Sequence, residues 1–361
     1  MKNTSSRASI DPSPRLVIDR SSLAANYDTL NRLTGSSDVA GVVKANSYGL
    51  GADALAPVLH SAGCRTFFVA NCAEGERVRT SLGPGPDIFV LNGFWPSESE
   101  RLSAHTLCPV INSPDELADL RTYAPELGFA LHFDTGISRL GFSTGQTSDL
   151  FADAARLEGL SLKLVMSHLA CADTPEHPLN TQQLHRFRRI RSVFSGIPAS
   201  LANSAGILLG EDYHFDLVRP GIGLYGGAPS AGPFSPVLPV ARIDAPILQV
   251  RELEPGDTVG YGAEFTVDRP LRTATVNLGY ADGVLRACHR ATARIHGKPA
   301  PLIGRVSMDL IAIDISAAPQ ARAGDSVSFL GEDLDAFAAA GGAANYELLV
   351  RLGSRFQRVY L

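Results

Sequence analysis

Cysteine is sparse in this sequence, and its pattern suggests no pairing. Cys64, Cys72, Cys108, Cys171 and Cys288 are odd in number, scattered and never in C-x-x-C spacing. That argues against a disulfide framework and a structural zinc, and for a reducing compartment; no metal is expected. No secretory leader is expected either. Residues 1–14 are rich in Ser, Pro and polar side chains with no apolar stretch, and they read as a disordered tail. No run is long and apolar enough to span a bilayer. The net charge of -5 is too mild to suggest nucleic acid or an anionic membrane as partner. Internal repeats and low-complexity segments are absent. A cytoplasmic protein is expected.

What is present is core material. The 361 residues are 45% hydrophobic and 19% charged, enough for two domains. Short apolar runs, each ending in polar or small residues, occur at 41–44, 66–71, 87–92, 108–112, 129–134, 163–168, 200–204 and 217–220. Helical spacing fills much of the intervals, at 52–62, 73–81, 114–123 and 181–194. Eight buried runs alternating with helices are what a parallel (β/α)8 barrel requires, here over 15–236. A single miscounted run would make it an open sheet. Residues 229–239, dense in Pro, Gly and Ser, read as a linker. Beyond them, 245–250, 273–278, 292–296, 304–315 and 326–330 alternate in β fashion, and helical patterning returns over 333–352. The expected fold class is therefore α/β: an N-terminal (β/α)8 TIM-like barrel followed by a mainly β C-terminal domain over 237–361.

The run ends carry Lys44, Asn71, Asn92, Asn112, Asp134, His168, Asn203 with Ser204, and Arg219. In a barrel these all face one C-terminal mouth, where active sites of the fold sit, although any one of them could be a strand or helix cap. Lys44 closes an apolar run. Partial desolvation there would lower its pKa and let the amine react with a carbonyl; taken alone, it fits a surface lysine equally well. The seventh and eighth runs end in Asn203-Ser204-Ala205-Gly206 and Arg219-Pro220-Gly221-Ile222-Gly223-Leu224-Tyr225-Gly226. Loops at that point of a barrel commonly hold phosphate. A lysine and a phosphate site in one mouth suggest pyridoxal phosphate.

The motifs then converge. Val43-Lys44-Ala45-Asn46-Ser47-Tyr48-Gly49, Asp134-Thr135-Gly136 with Arg139-Leu140-Gly141, and Ser167-His168-Leu169-Ala170 are followed by Arg219-Pro220-Gly221-Ile222. Gly260-Tyr261-Gly262, Gly279-Tyr280-Ala281-Asp282-Gly283 and Gly304-Arg305-Val306-Ser307-Met308-Asp309 complete the series. In this order, over almost the whole chain, they resemble the alanine racemases, fold-type III pyridoxal-phosphate enzymes.

The resemblance implies interconversion of L- and D-alanine, with D-alanine going to peptidoglycan. It implies pyridoxal 5'-phosphate held by Lys44, with Tyr48, His168, Asn203, Ser204, Arg219, Gly221 and Ile222 on the cofactor side. Lys44 and Tyr261 would be the two acid/base groups on opposite faces of the substrate Cα. A phenol needs a nearby cation to act as a base at neutral pH, and His168 with its neighbours is the expected source. Arg139 would fork onto the substrate carboxylate, and Met308 would offer its N–H to the same group. Tyr261 and Met308 would come from the second subunit of a homodimer.

Three positions depart from the family pattern. His132 stands where some members carry a carbamylated lysine that orients the arginine; it cannot form that carbamate, so another anion or a neutral hydrogen bond must serve. Ser354 stands where some members have a phosphate-binding tyrosine, and Leu50 where histidine is frequent. The alternatives are a racemase of broader range, a non-catalytic pyridoxal-phosphate barrel or a decarboxylase of basic amino acids. The carrier lacks a β domain with Tyr261 and Met308, and no decarboxylase motif is found.

Overall fold

The computed structural model describes residues 12–229 and 236–361. Most of the expected disordered tail (1–14) and the middle of the expected linker (230–235) lie outside the described residues. The chain divides into two compact units, one of residues 23–237, the other of 238–361 together with the N-terminal residues through Ser22.

Strand β1 (Arg15–Ile18) belongs to the second unit. The first unit is a ring of parallel strands. It begins with β2 (Asp38–Val39) and β3 (Gly41–Val42), one strand interrupted at Ala40, and continues through β4 (Thr66–Val69), β5 (Asp87–Val90) and β6 (Cys108–Ile111). Next come β7 (Gly128–His132), β8 (Ser161–Met166), β9 (Ala199–Ser200) and β10 (Leu217–Val218). Strands β3 to β9 form one sheet in sequence order. β10 closes it: Leu217 pairs with Asp38, and the Ala40 N–H donates to Val218 O at 2.9 Å. On its other side the Asp216 and Arg219 N–H groups donate to Ala199 O (3.0 Å) and Ala202 O (2.9 Å). The eight buried runs are the eight strand positions of a closed barrel.

Large and small side chains alternate in the barrel interior. Phe68 and Phe89 stack at 5.1 Å, and Ala40, Ala130, Val110 and Met166 fill around them. Truncating either phenylalanine to alanine would cost about 3–5 kcal/mol. Helices start directly at the mouth. Asn71 caps Cys72–Leu82 by accepting the Glu74 N–H, and Ser113 caps Pro114–Tyr123 by accepting that of Glu116. Two of the polar run ends, Asn71 and Asn203, are thus helix caps.

The second unit holds β11 (Ala241–Leu253), β12 (Thr258–Val259), β13 (Phe265–Thr266), β14 (Leu271–Val276), β15 (Thr292–Ile295), β16 (Lys298–Ile303), β17 (Ile311–Asp314), β18 (Ser326–Leu330) and β19 (Gln357–Tyr360). The order β14-β17-β16-β15-β18-β11-β1-β19 curls on itself, because the long β11 pairs with β18 through its first half and with β14 through its second. A bulge between Ile247 and Gln249 separates the halves.

Three expectations are corrected here. The sequence reading opens the barrel at residue 15. β1 instead pairs antiparallel with β11 and parallel with β19, which buries Leu16, Val17 and Ile18. The run 304–315 is not one strand: 304–310 is a loop, because Gly304 takes a left-handed φ of 66° and turns the chain out of β16. The helical stretch 333–352 breaks into Leu334–Ala340 and Asn345–Val350 around Gly341 and Gly342.

Candidate active site

Lys44 follows β3 at the barrel mouth, half-buried. The next four residues, Ala45, Asn46, Ser47 and Tyr48, have φ of 50°, 56°, 53° and 53°, a full turn of left-handed backbone without a glycine. Such a conformation costs roughly 1–2 kcal/mol per residue, so its surroundings must enforce it. They do. The Ser47 and Gly49 N–H groups donate to Val43 O and Ala45 O, both at 2.8 Å. Asn46 Oδ1 accepts the Ala52 N–H (2.9 Å). Glu74 Oε1 accepts the Ala45 N–H (2.7 Å), while its Oε2 accepts that of Ala70 (2.8 Å). Burial pushes the Lys44 amine below its ordinary pKa; the charge of Arg139 acts in the same direction and Glu74 opposes it. That is the condition for a lysine to act as nucleophile or base.

Beside Lys44 the loops after β9 and β10 form one cradle. Ser204 Oγ accepts the N–H groups of Gly221 (2.8 Å) and Gly223 (3.2 Å), and Asn203 Oδ1 caps the Gly206 N–H (2.8 Å). The Tyr48 hydroxyl lies against Gly221, where a Cβ would stand 2.0 Å from it. Its ring packs on Tyr225 at 4.9 Å, and Tyr225 donates to Val42 O at 3.0 Å. Ile222, nearly buried, opens the short turn Ile222–Tyr225. Small residues, backbone amides and two hydroxyls here match the needs of a phosphate group.

Arg219 is buried and has no carboxylate partner among the described residues. Its Nη1 donates to Ser200 Oγ (2.5 Å), its Nη2 to Ser167 O (2.6 Å), and Nη2 stands 3.4 Å from His168 Nδ1. The guanidinium lies 5.8 Å over the Phe68 ring. Burial lowers its pKa to about 9, so it is still charged at neutral pH. His168 is pushed well below its ordinary pKa, by burial first and then by Arg219, Arg139, His132 and Lys44. It is neutral, so of the expected source, His168 with its neighbours, the charge lies on the neighbours: Arg219 stands 3.4 Å away, and Arg139 and Lys44 also act on the ring.

Arg139 rides on a tethered loop. The Phe142 N–H donates to His132 O (2.8 Å) and the Asp134 N–H to Phe142 O (3.0 Å). Inside the loop Asp134 Oδ1 accepts the N–H groups of Gly136, Ile137 and Ser138. A Cβ at Gly141 would come within 2.8 Å of Asp134 N. The Arg139 side chain is exposed and makes no hydrogen bond or ion pair among the described residues. His132 at the end of β7 is buried, with Nδ1 2.8 Å from Asn112 Oδ1.

Tyr261 and Met308 are on the second unit. Tyr261 begins the turn Tyr261–Ala263 between Gly260 (φ 79°) and Gly262 (φ 77°), and is 70% exposed. Arg305 pairs with Glu264 beside it. Met308 is 53% exposed on a loop clamped by its backbone: Ser307 O and Met308 O accept the N–H groups of Tyr280 (3.0 Å) and Ala281 (2.9 Å). A Cβ at Gly279 would stand 2.1 Å from Met308 O. Arg355 pairs with both Asp309 (2.7 Å) and Asp282 (3.1 Å), joining the two motif loops.

Reading the sequence missed Glu74 and Glu116, and named Asn112 only as a run end and Tyr225 only within the eighth run, without a role for either. The Asn71-x-x-Glu74 spacing is a capping signal, but its second use, holding the lysine loop, depends on tertiary contact. Ser113-x-x-Glu116 has the same spacing, whereas Asn112 and Tyr225 act through contacts that have no local motif.

Comparison with known proteins gives the family. Residues 18–229 match the family model of the alanine racemase N-terminal domain, and 240–360 that of the alanine racemase C-terminal domain. A catabolic alanine racemase of Mesorhizobium japonicum is 46% identical, over 96% of this chain and 93% of its own. The crystal structure of the Bartonella henselae alanine racemase with covalently bound pyridoxal phosphate is similar at a TM-score of 0.91, with 34% identity over 97% of this chain and all of that one. The biosynthetic alanine racemase of Pseudomonas aeruginosa follows at 0.90, also 34% identical, over 97% of this chain and 100% of its own. This chain belongs to the alanine racemase family.

Proposed function

We propose that the protein interconverts L- and D-alanine in a two-base reaction, with pyridoxal 5'-phosphate bound at Lys44. The observation that carries this is the half-buried Lys44 with its depressed amine, beside the Ser204–Gly221–Tyr48 cradle and the buried Arg219. These residues fit the cofactor. Tyr48, Ser204, Gly221 and Ile222 would hold its phosphate, and Arg219 would face its ring nitrogen, with His168 and Asn203 beside it. Once bound, it would withdraw the electron pair left when the substrate Cα loses its proton.

The chain's own groups do the rest. Lys44 removes or returns the proton on one face of Cα. A single base tends to return a proton where it came from, so Tyr261 works on the opposite face. Arg219 holds its proton at neutral pH, so it donates a hydrogen bond without transferring charge. Arg139 forks onto the substrate carboxylate, and the Met308 N–H adds a second donor. In the homodimer Tyr261 and Met308 serve the barrel of the other copy. Relatives carrying both catabolic and biosynthetic labels fit one reaction run in either direction; supply of D-alanine for peptidoglycan in the cytoplasm is the role we assign.

The test is purified protein with added cofactor, assayed for racemisation across a panel of amino acids. Alanine should turn over fastest, and borohydride should fix a cofactor mass on Lys44. Racemisation surviving Lys44→Ala would overturn the proposal.

A further inference from the structure

Two primary amides are buried where a barrel ordinarily buries apolar side chains. The helix Pro178–Val193 follows β8 and buries Leu184, Phe187 and Ile190, yet its first turns also bury Asn180 and Gln183. An amide out of water is costly unless each of its polar atoms finds a partner. Gln183 has them all. Its Oε1 accepts the Ala170 N–H (2.9 Å), and its Nε2 donates to His168 O (2.8 Å) and to Thr135 Oγ1 (3.1 Å). Exchanging its O and N would set donor against donor and acceptor against acceptor, so the orientation of the amide is fixed.

These partners have a pattern. β8 ends at Met166, whose carbonyl accepts the Phe133 N–H (2.8 Å), and the Ser167 N–H donates to Ser200 O (3.1 Å). Past that point no backbone neighbour serves residues 168–170 among the described residues. A parallel strand would donate to one carbonyl and accept the N–H two residues on. The Gln183 side chain does both, at His168 and Ala170, and so extends β8 in place of a strand. What it fixes is the backbone of His168. On the near side of that residue, Ser167 O accepts from Arg219 Nη2 (2.6 Å), which also stands 3.4 Å from His168 Nδ1. Ser167 Oγ meets Thr135 Oγ1 at 2.7 Å, which closes the circuit onto the second Nε2 proton. The helix supports this from either side of Gln183. Asn180 Nδ2 donates to Cys171 O (3.2 Å) and Thr174 O (3.1 Å), and Arg186 Nη1 to Thr135 O (2.8 Å). Residues three apart are neighbours on a helix surface.

We infer that Gln183 is a positioning residue for the reaction: its amide holds the His168 backbone so that the His168 ring and the Ser167 carbonyl meet the Arg219 guanidinium in a single arrangement. This deepens the proposed racemase reading and rests on it.

Hydrogen exchange on the parent protein is the first test, and it needs no substrate. The Ala170 amide lies outside every strand, yet it should exchange as slowly as that of Val165, which is bonded to Pro198 O within β8. Exchange at the rate of an open loop would overturn the inference. The second test replaces Gln183 by methionine, which has a similar volume and no donor, with the buried Leu184→Met as packing control. In the holoenzyme, Gln183→Met should lower kcat about tenfold, roughly one hydrogen bond, with KM for alanine within about threefold of the parent. Burial and the charges of Arg219, Arg139, His132 and Lys44 hold the His168 ring neutral in the parent. In Gln183→Met, 15N spectra of histidine-labelled protein should show His168 titrating between about pH 5 and 8. An unchanged kcat, a His168 that does not titrate, or the same losses in Leu184→Met would each overturn the inference. If Gln183→Met did not fold, Thr135→Val, which removes one of the three bonds, should move kcat and the His168 titration in the same directions by less; no movement would refute it. If the parent failed to racemise alanine, the proposed function would fall instead, and the exchange and titration results would still decide whether Gln183 holds His168.

Discussion

The barrel mouth and the motif loops of the second unit solve the same problem by opposite means. In the mouth, Arg219, His132 and Ser204 are buried side chains held by other side chains, a carbonyl and backbone N–H groups, with no ion pair among them. On the second unit, Tyr261 and Met308 are exposed, and it is their backbone that is fixed, by Gly260, Gly262 and the contact of Gly279 with Met308 O. Rigid side chains suit a permanent group; exposed side chains on rigid loops suit contacts made only on assembly. The difference also says where each region is vulnerable.

The largest predicted effect splits the two regions chemically. Tyr261→Ala should cut racemisation by about 10²–10⁴, the range of a general acid–base group. Exchange of the Cα proton in deuterium oxide should collapse with L-alanine and persist with D-alanine, where Lys44 still acts. Equal losses would reverse or erase the assignment of faces. The next effect is structural. Gly279→Ala drives a Cβ to 2.1 Å from backbone that cannot yield, and should cost about 1–3 kcal/mol in urea unfolding. Gly221→Ala meets only the tip of Tyr48, which can rotate away. It should leave stability nearly unchanged and weaken cofactor retention about tenfold, roughly one hydrogen bond. If both variants lose stability alike, the contrast between rigid backbone and rigid side chains fails.

A last effect is a pH slope that belongs to the barrel. His132 is held at about 4 in the folded chain, against an ordinary 6.5. Between those values the unfolded chain binds more protons, so stability falls as pH drops from 6.5 toward 4. This group alone accounts for roughly 3 kcal/mol. His132→Gln should flatten that share of the slope in urea titrations at stepped pH; an unchanged slope would mean the imidazole is not buried neutral.

Much of this was legible in the sequence, because periodicity reports burial. Each of the eight apolar runs has its strand, and the lysine, arginine and glycine motifs lie where those strands end. The misreadings have physical causes. Residues 304–315 look like one strand because Val306, Leu310 and Ile311 are apolar, but the φ of Gly304 is not written in hydropathy. β1 has the composition of any strand, and only its partners β11 and β19 assign it to the second sheet. The neutrality of His168 follows from its burial first and then from groups the fold brings around it, so no local pattern announces it.

The left-handed turn after Lys44 has a consequence for variation. Ala45 is exposed, and by position it looks free to mutate. Its φ of 50° penalises β-branched residues most and admits glycine, asparagine or aspartate. A library randomised at 45–47 and screened only for folding should reject Val, Ile and Thr and enrich those three. Among descendants of this chain, such a column of restricted residues beside the reactive lysine would resemble the imprint of a ligand. Its origin is the handedness of the backbone.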